Sequence, residues 1–189
     1  MAPQALTQYP ETLANQIQSR EVRLKRLAES IDALVEKDAH SLRRAREISV
    51  LRTKAIADLY GICFDFVRAL NGLLSKGEVI LDPPEFADAA FHDHAANMIQ
   101  INVRGRILQV EFKATLDLVS TEDFRIPYTV EGHIRAFNQE LLDKHIIEEQ
   151  LIFYTLEKER NMWRFFDART YRSGPFDQGY LISLMEQLI

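Results

Sequence analysis

MIQINVRGRILQVEFK, residues 98–113, is the stretch on which the fold turns. Ile99, Ile101 and Val103 alternate with Gln100, Asn102 and Arg104; after Gly105, Leu108, Val110 and Phe112 alternate with Gln109, Glu111 and Lys113. Successive side chains of a strand point to opposite faces, so a two-residue period on both sides of a short Arg-Gly-Arg segment predicts a β-hairpin with one buried face. Tyr128, Val130 and Ile134 continue the alternation against Glu131, His133 and Arg135. A second hairpin is expected from Leu151–Leu156 and Met162–Phe166, joined by the polar segment 157–161. Between them, Asn138 is positioned to cap a short helix reaching His145. Residues 169–176 read as a loop, and Asp177 caps a final helix whose stripe is Leu181, Leu184, Met185 and Leu188. Five strands without regular alternation of strand and helix predict a mostly antiparallel sheet, with the last helix packed on it.

Upstream the period changes. From Glu11 to Lys76 there is no proline, and glycine occurs only at Gly61 and Gly72, so helix breakers are nearly absent. Leu13, Ile17, Leu24, Leu27, Ile31 and Leu34 follow steps of three and four, with Arg20 at the one missed position. That is a coiled-coil seam, and its apolar stripe needs a partner surface. The segment Lys37–Ser41 reads either as the turn of a helical hairpin, with Asp38 or Ser41 as the next N-cap, or as a polar patch in one continuous helix; a helix of ~65 residues exceeds normal globular length, which favours the hairpin. The second arm carries Ile48, Leu51, Ala55, Leu59, Ile62, Phe66, Leu70 and Leu73. From Leu59 it is apolar on several faces, as a helix buried against a sheet would be, and Gly77 supplies a C-cap. The sequence therefore reads as α+β: a helical segment over 1–76 and a sheet domain over 77–189.

Composition narrows the function classes. The chain has 189 residues, 47% hydrophobic and 27% charged, enough apolar surface to predict a packed core. A net charge of −5 argues against bulk attraction to nucleic acid or anionic membrane. The charge is uneven: 12 basic and 9 acidic residues in 1–76 give +3, and 11 and 19 in 77–189 give −8. The single cysteine excludes an intrachain disulfide and a multi-cysteine zinc site, and fits a reducing compartment. No apolar run reaches the ~18 residues of a spanning helix, and residues 1–10 lack the features of a signal peptide. A cytoplasmic protein without a membrane partner is expected.

Three clusters have chemical potential. Glu111 and Lys113, two apart on a strand, share a face; a carboxylate holding Mg²⁺ beside a lysine facing a phosphoryl group suits phosphodiester hydrolysis. Glu111-Phe112-Lys113 is similar to the Glu-x-Lys element of restriction-endonuclease-like nucleases. The resemblance implies an upstream aspartate, for which Asp82 or Asp93 is available. The helix that follows this strand in that family has no counterpart, since 115–137 reads as loop and strand. His92-Asp93-His94 places two imidazoles where an extended chain could offer both to one transition metal. Arg43, Arg44 and Arg46, with Arg52 and Lys54, form a basic stripe able to contact phosphates, without interleaved aromatics for base stacking.

Each cluster has a plainer explanation, as solvated strand charges, structural histidines or a helix face. No motif implies a cofactor. The function the sequence favours is a non-enzymatic protein that self-associates, as a homodimer, or binds another protein through Leu24, Leu27, Ile31 and Leu34. The alternatives are a metal-dependent phosphodiester hydrolase using Glu111 and Lys113, and a nucleic-acid-binding module using the arginines.

Overall fold

The computed structural model of the protein describes residues 9–87, 95–145 and 147–189, with side-chain environments from residue 18 onward. The element order is α1 (Tyr9–Leu73), β1 (Ile80–Asp82), β2 (Asn97–Val103), β3 (Arg106–Val119), β4 (Tyr128–Phe137), α2 (Gln139–Asp143), β5 (Glu148–Thr155), β6 (Met162–Asp167), β7 (Arg172–Pro175) and α3 (Gln178–Glu186). The chain divides into two compact units, 1–47 and 48–189.

The α+β class holds, with two corrections. The expected hairpin of helices is one continuous helix, and Lys37–Ser41 is an ordinary part of it. The physical reason lies in the spacing. Steps of three and four run on from Leu34 through Asp38, Ser41 and Ala45 to Ile48 without a skip, and no glycine or proline forces a turn. Polar side chains interrupt the hydrophobicity of the seam but not its geometry. The second correction is that the sheet has seven strands, not five, all paired antiparallel in sequence order. The two additional strands are the edges. β1 is three residues long, and β7 lies inside the stretch expected to be a loop. Such short edge strands carry little periodic signal.

In the unit 48–189, α1 covers one face of the sheet. Ala55, Ile56, Leu59, Tyr60, Cys63, Phe66 and Val67 are buried in one core with Ile99, Ile101, Leu108, Val110, Phe112, Val130, Ile134, Ile152 and Tyr154. Every strand residue in that set belongs to the inward half of an alternating pattern. Leu181, Leu184, Met185 and Leu188 bring α3 and its following turn into the same core, as the stripe predicted. Phe64, Leu73 and Leu74 are exposed, so the apolar wrap of α1 is narrower than its sequence suggests.

Polar groups fix the helix on the sheet. Trp163 donates its indole N–H to the carbonyl of Ala55 at 2.6 Å. Arg52 donates to Thr129 Oγ1 at 3.3 Å and to the Thr115 carbonyl. The helix ends at Leu73, four residues before Gly77, so that glycine is not its cap. Asn71 instead accepts from the Val79 N–H and donates to the Val79 carbonyl, at 2.8 and 2.9 Å, tying the exit of α1 to the start of the sheet.

The β2–β3 hairpin turns through Arg104 and Gly105, with φ of 51° and 85°. Two consecutive positive φ values match the twist of a tight hairpin, and glycine tolerates its value without a Cβ penalty. Asn138 and Asp177 cap α2 and α3 as expected, accepting from the N–H groups of Leu141 and Tyr180.

Candidate functional site

Among the described residues two surfaces carry the candidate groups, one in each unit. The first is the seam of α1. Leu24, Leu27, Ile31 and Leu34 are 54%, 57%, 50% and 58% exposed. Val35 and Leu42 stand beside them, also exposed, and widen the stripe on one flank. Written as a heptad, Leu24 and Ile31 occupy a positions and Leu27 and Leu34 occupy d positions. A monomer that leaves four aliphatic side chains in one row half in water has a surface suited to a partner. Leu13 and Ile17 continue the spacing in sequence, but their side chains lie outside the described environments.

The basic stripe follows the seam. Arg43, Arg44 and Arg46 are exposed, and the Arg43 guanidinium turns back to donate to the carbonyl of Ala39 at 3.3 Å. Arg52 is drawn off to the sheet, where it serves packing.

The second surface is the sheet face opposite α1. Here β3, β4 and β5 set charges of opposite sign directly across from one another. Glu111 pairs with His133, Lys113 with Glu131, and Arg135 with Glu149 in the strand register. The side chains follow: Glu111 Oε2 lies 3.2 Å from His133 Nε2 and 3.7 Å from Arg135 Nη1. Arg135 Nε reaches Glu149 at 2.7 Å, and Lys113 Nζ reaches Glu131 at 3.5 Å. Directly opposed unlike charges favour pairing of neighbouring strands.

Above this row the segment between β3 and β4 folds over the sheet. Thr121 and Phe124 form a closed turn, the Thr121 N–H donating to the Phe124 carbonyl and the Phe124 N–H to Thr121 Oγ1. The turn seats Phe124 on Phe153, with ring centroids 4.5 Å apart, beside Tyr128 and Phe166. Burial, and then the nearby Glu131 carboxylate, push the Tyr128 hydroxyl above its usual pKa. Between this aromatic wall and the charged row lies a pocket of about 500 Å³, which both Glu111 and Lys113 line.

Glu111 and Lys113 thus share a face, as their spacing predicts. Asp82 is not brought to them. It lies on β1, opposite Gln100 and two strands from β3, roughly 10 Å across the sheet from the row of Gln109. Asp93, with His92 and His94, lies outside the described residues. Among the described residues no group of three or more His, Cys, Asp or Glu side chains is arranged to hold a metal ion. Cys63 is fully buried, and burial pushes its thiol up to about 12, so it is a core residue rather than a nucleophile. Sequence reasoning alone misses His133, Arg135 and Glu149 as partners of Glu111. Their alternation is visible, but which charge faces which depends on strand register.

The chain is an α+β protein with a long N-terminal helix that carries a row of exposed aliphatic side chains, followed by a seven-stranded antiparallel meander and a C-terminal helix. No family model matches the chain, and neither a curated protein nor a solved structure is significantly similar to it. No helix among the described residues is long and apolar enough to cross a membrane.

Proposed function

We propose that the chain is a non-enzymatic, cytoplasmic protein that self-associates through the seam of α1. The observation that carries this reading is the exposure of Leu24, Leu27, Ile31 and Leu34 in one heptad row. Covering the exposed half of an aliphatic side chain is worth about 1 kcal/mol, so two such rows facing each other gain enough to offset much of the cost of association. The inner face of the sheet, by contrast, is already filled by α1 and α3.

Light scattering on the full chain tests the reading. A dimer is expected, and the double substitution Leu27→Asp and Ile31→Asp should yield a monomer with unchanged helix content. Each aspartate removes an apolar contact and forces a carboxylate into the paired seam. A full-length chain that stays monomeric at high concentration would instead favour a different protein as occupant of the seam.

A second reading rests on the pocket beneath Phe124, which brings Glu111 and Lys113 to one concave surface. The phosphodiester-hydrolase alternative belongs there. Calorimetric titration with Mg²⁺ and Mn²⁺, together with cleavage of plasmid DNA, is the check. This reading expects metal binding and cleavage that are lost in Glu111→Ala. No heat and no cleavage, or full activity in that variant, would remove it.

A further inference from the structure

We infer that the seam pairs with a second copy of itself in the antiparallel direction, centred on Glu29, with Arg20 of each chain facing Asp38 of the other. The inference rests on the self-association reading and adds orientation and register to it.

The four apolar positions end at a charge on either side. Arg20 takes the d position before Leu24, and Asp38 takes the a position after Leu34. Both are exposed on α1. In a parallel in-register pair each residue faces its own copy, because a meets a and d meets d. That arrangement sets Arg20 against Arg20 and Asp38 against Asp38 at the ends of the apolar row, where like charges are costly.

An antiparallel pair matches a positions with d positions. Leu24 then faces Leu34, Leu27 faces Ile31, and Arg20 faces Asp38, all about the same midpoint. The four layers from Leu24 to Leu34 and the charge layers are satisfied by one register, which sets Ile17 opposite Ser41 and Leu13 opposite Ala45, and the two-fold symmetry makes the ion pair twice. No parallel stagger can do this. Bringing Arg20 to Asp38 by sliding parallel chains moves them by 18 residues and leaves none of Leu24, Leu27, Ile31 and Leu34 facing another of the four. On the flank the antiparallel pair sets Arg23 near Lys37, a like-charge contact of long side chains in water, which weighs little against two facing pairs within the seam.

Charge exchange distinguishes the orientations. In sedimentation or light-scattering dilution series, Arg20→Glu alone and Asp38→Arg alone should each raise the dimer dissociation constant about tenfold or more. The double variant carries opposite charges across the same two layers with their signs exchanged. It should return to within about threefold of the unaltered chain. Single variants that dimerise as well as the unaltered chain, or a double variant no better than the singles, would overturn the register while leaving self-association standing. A monomeric unaltered chain would remove both. Cross-linking gives an independent readout: oxidation of an equimolar mixture of Arg20→Cys and Asp38→Cys chains should give the mixed disulfide dimer. Cross-linking of each variant to itself would show a parallel pair. The buried Cys63 does not interfere.

Discussion

Trp163→Ala is expected to lower the free energy of unfolding by about 3–5 kcal/mol, the range for truncating a buried aromatic. Trp163 sits in the middle of the core, between Phe112 and Tyr154, with ring centroids at 6.3 and 5.7 Å. Its indole N–H is also the donor to the Ala55 carbonyl, so the side chain holds β6 and α1 together. Removing it leaves a cavity at the junction and takes away a hydrogen bond made between elements distant in sequence. Trp163→Phe separates the two effects. It keeps most of the volume, loses only the bond, and should cost about 1–2 kcal/mol. Urea unfolding must be followed by circular dichroism, because Trp163 is the only tryptophan and its fluorescence is lost with it. Equal losses for the two variants would mean that the hydrogen bond, not the packing, dominates.

Gly132→Ala should destabilise the sheet by about 3 kcal/mol or more, at or beyond the upper end of ordinary overpacking. A Cβ at Gly132 would lie 2.2 Å from the Glu111 carbonyl oxygen and 2.8 Å from Phe112 Cα. Both are backbone atoms, so no rotamer change relieves the clash, and β3 and β4 would have to separate. The row next to it holds Glu111 and His133 in contact, so the same change should open the charged floor of the pocket. Gly77→Ala is the control, with open space around its Cβ position and a backbone that needs no glycine. A loss at Gly132 no larger than that at Gly77 would show that the strands yield easily.

Local signals are legible in the sequence and non-local ones are not. The hairpin at residues 98–113, the caps Asn138 and Asp177 and the stripe of α3 each depend on residues within one or two turns of one another, and the structure contains all of them. The continuity of α1 is legible too, since the heptad spacing never skips between Leu34 and Ile48. Ordinary helix length points the other way, and spacing is the better guide. The edge strands are invisible because their pairing partners, not their own composition, make them strands. The pocket is out of reach for the same reason. Phe124 reads as an isolated aromatic in a polar segment until its turn places it on Phe153. Glu111 and Lys113 stand out by their spacing, but their engagement with His133 and Glu131 is a property of register.

The bond from Trp163 to Ala55 spans 108 residues, and this has a consequence for the order of synthesis. The helix leaves the ribosome well before the strands that cover it. At ~5–20 residues per second, the face of Ala55, Leu59, Cys63 and Phe66 waits roughly 5–20 s for β6 to emerge. The meander shortens the exposure of the sheet, because each strand finds its neighbour as soon as it appears. The helix face can begin to pack on β2 and β3, but it is fully covered only when β6 and α3 arrive. During translation the molecule's most vulnerable surface is therefore the one that is best hidden at the end.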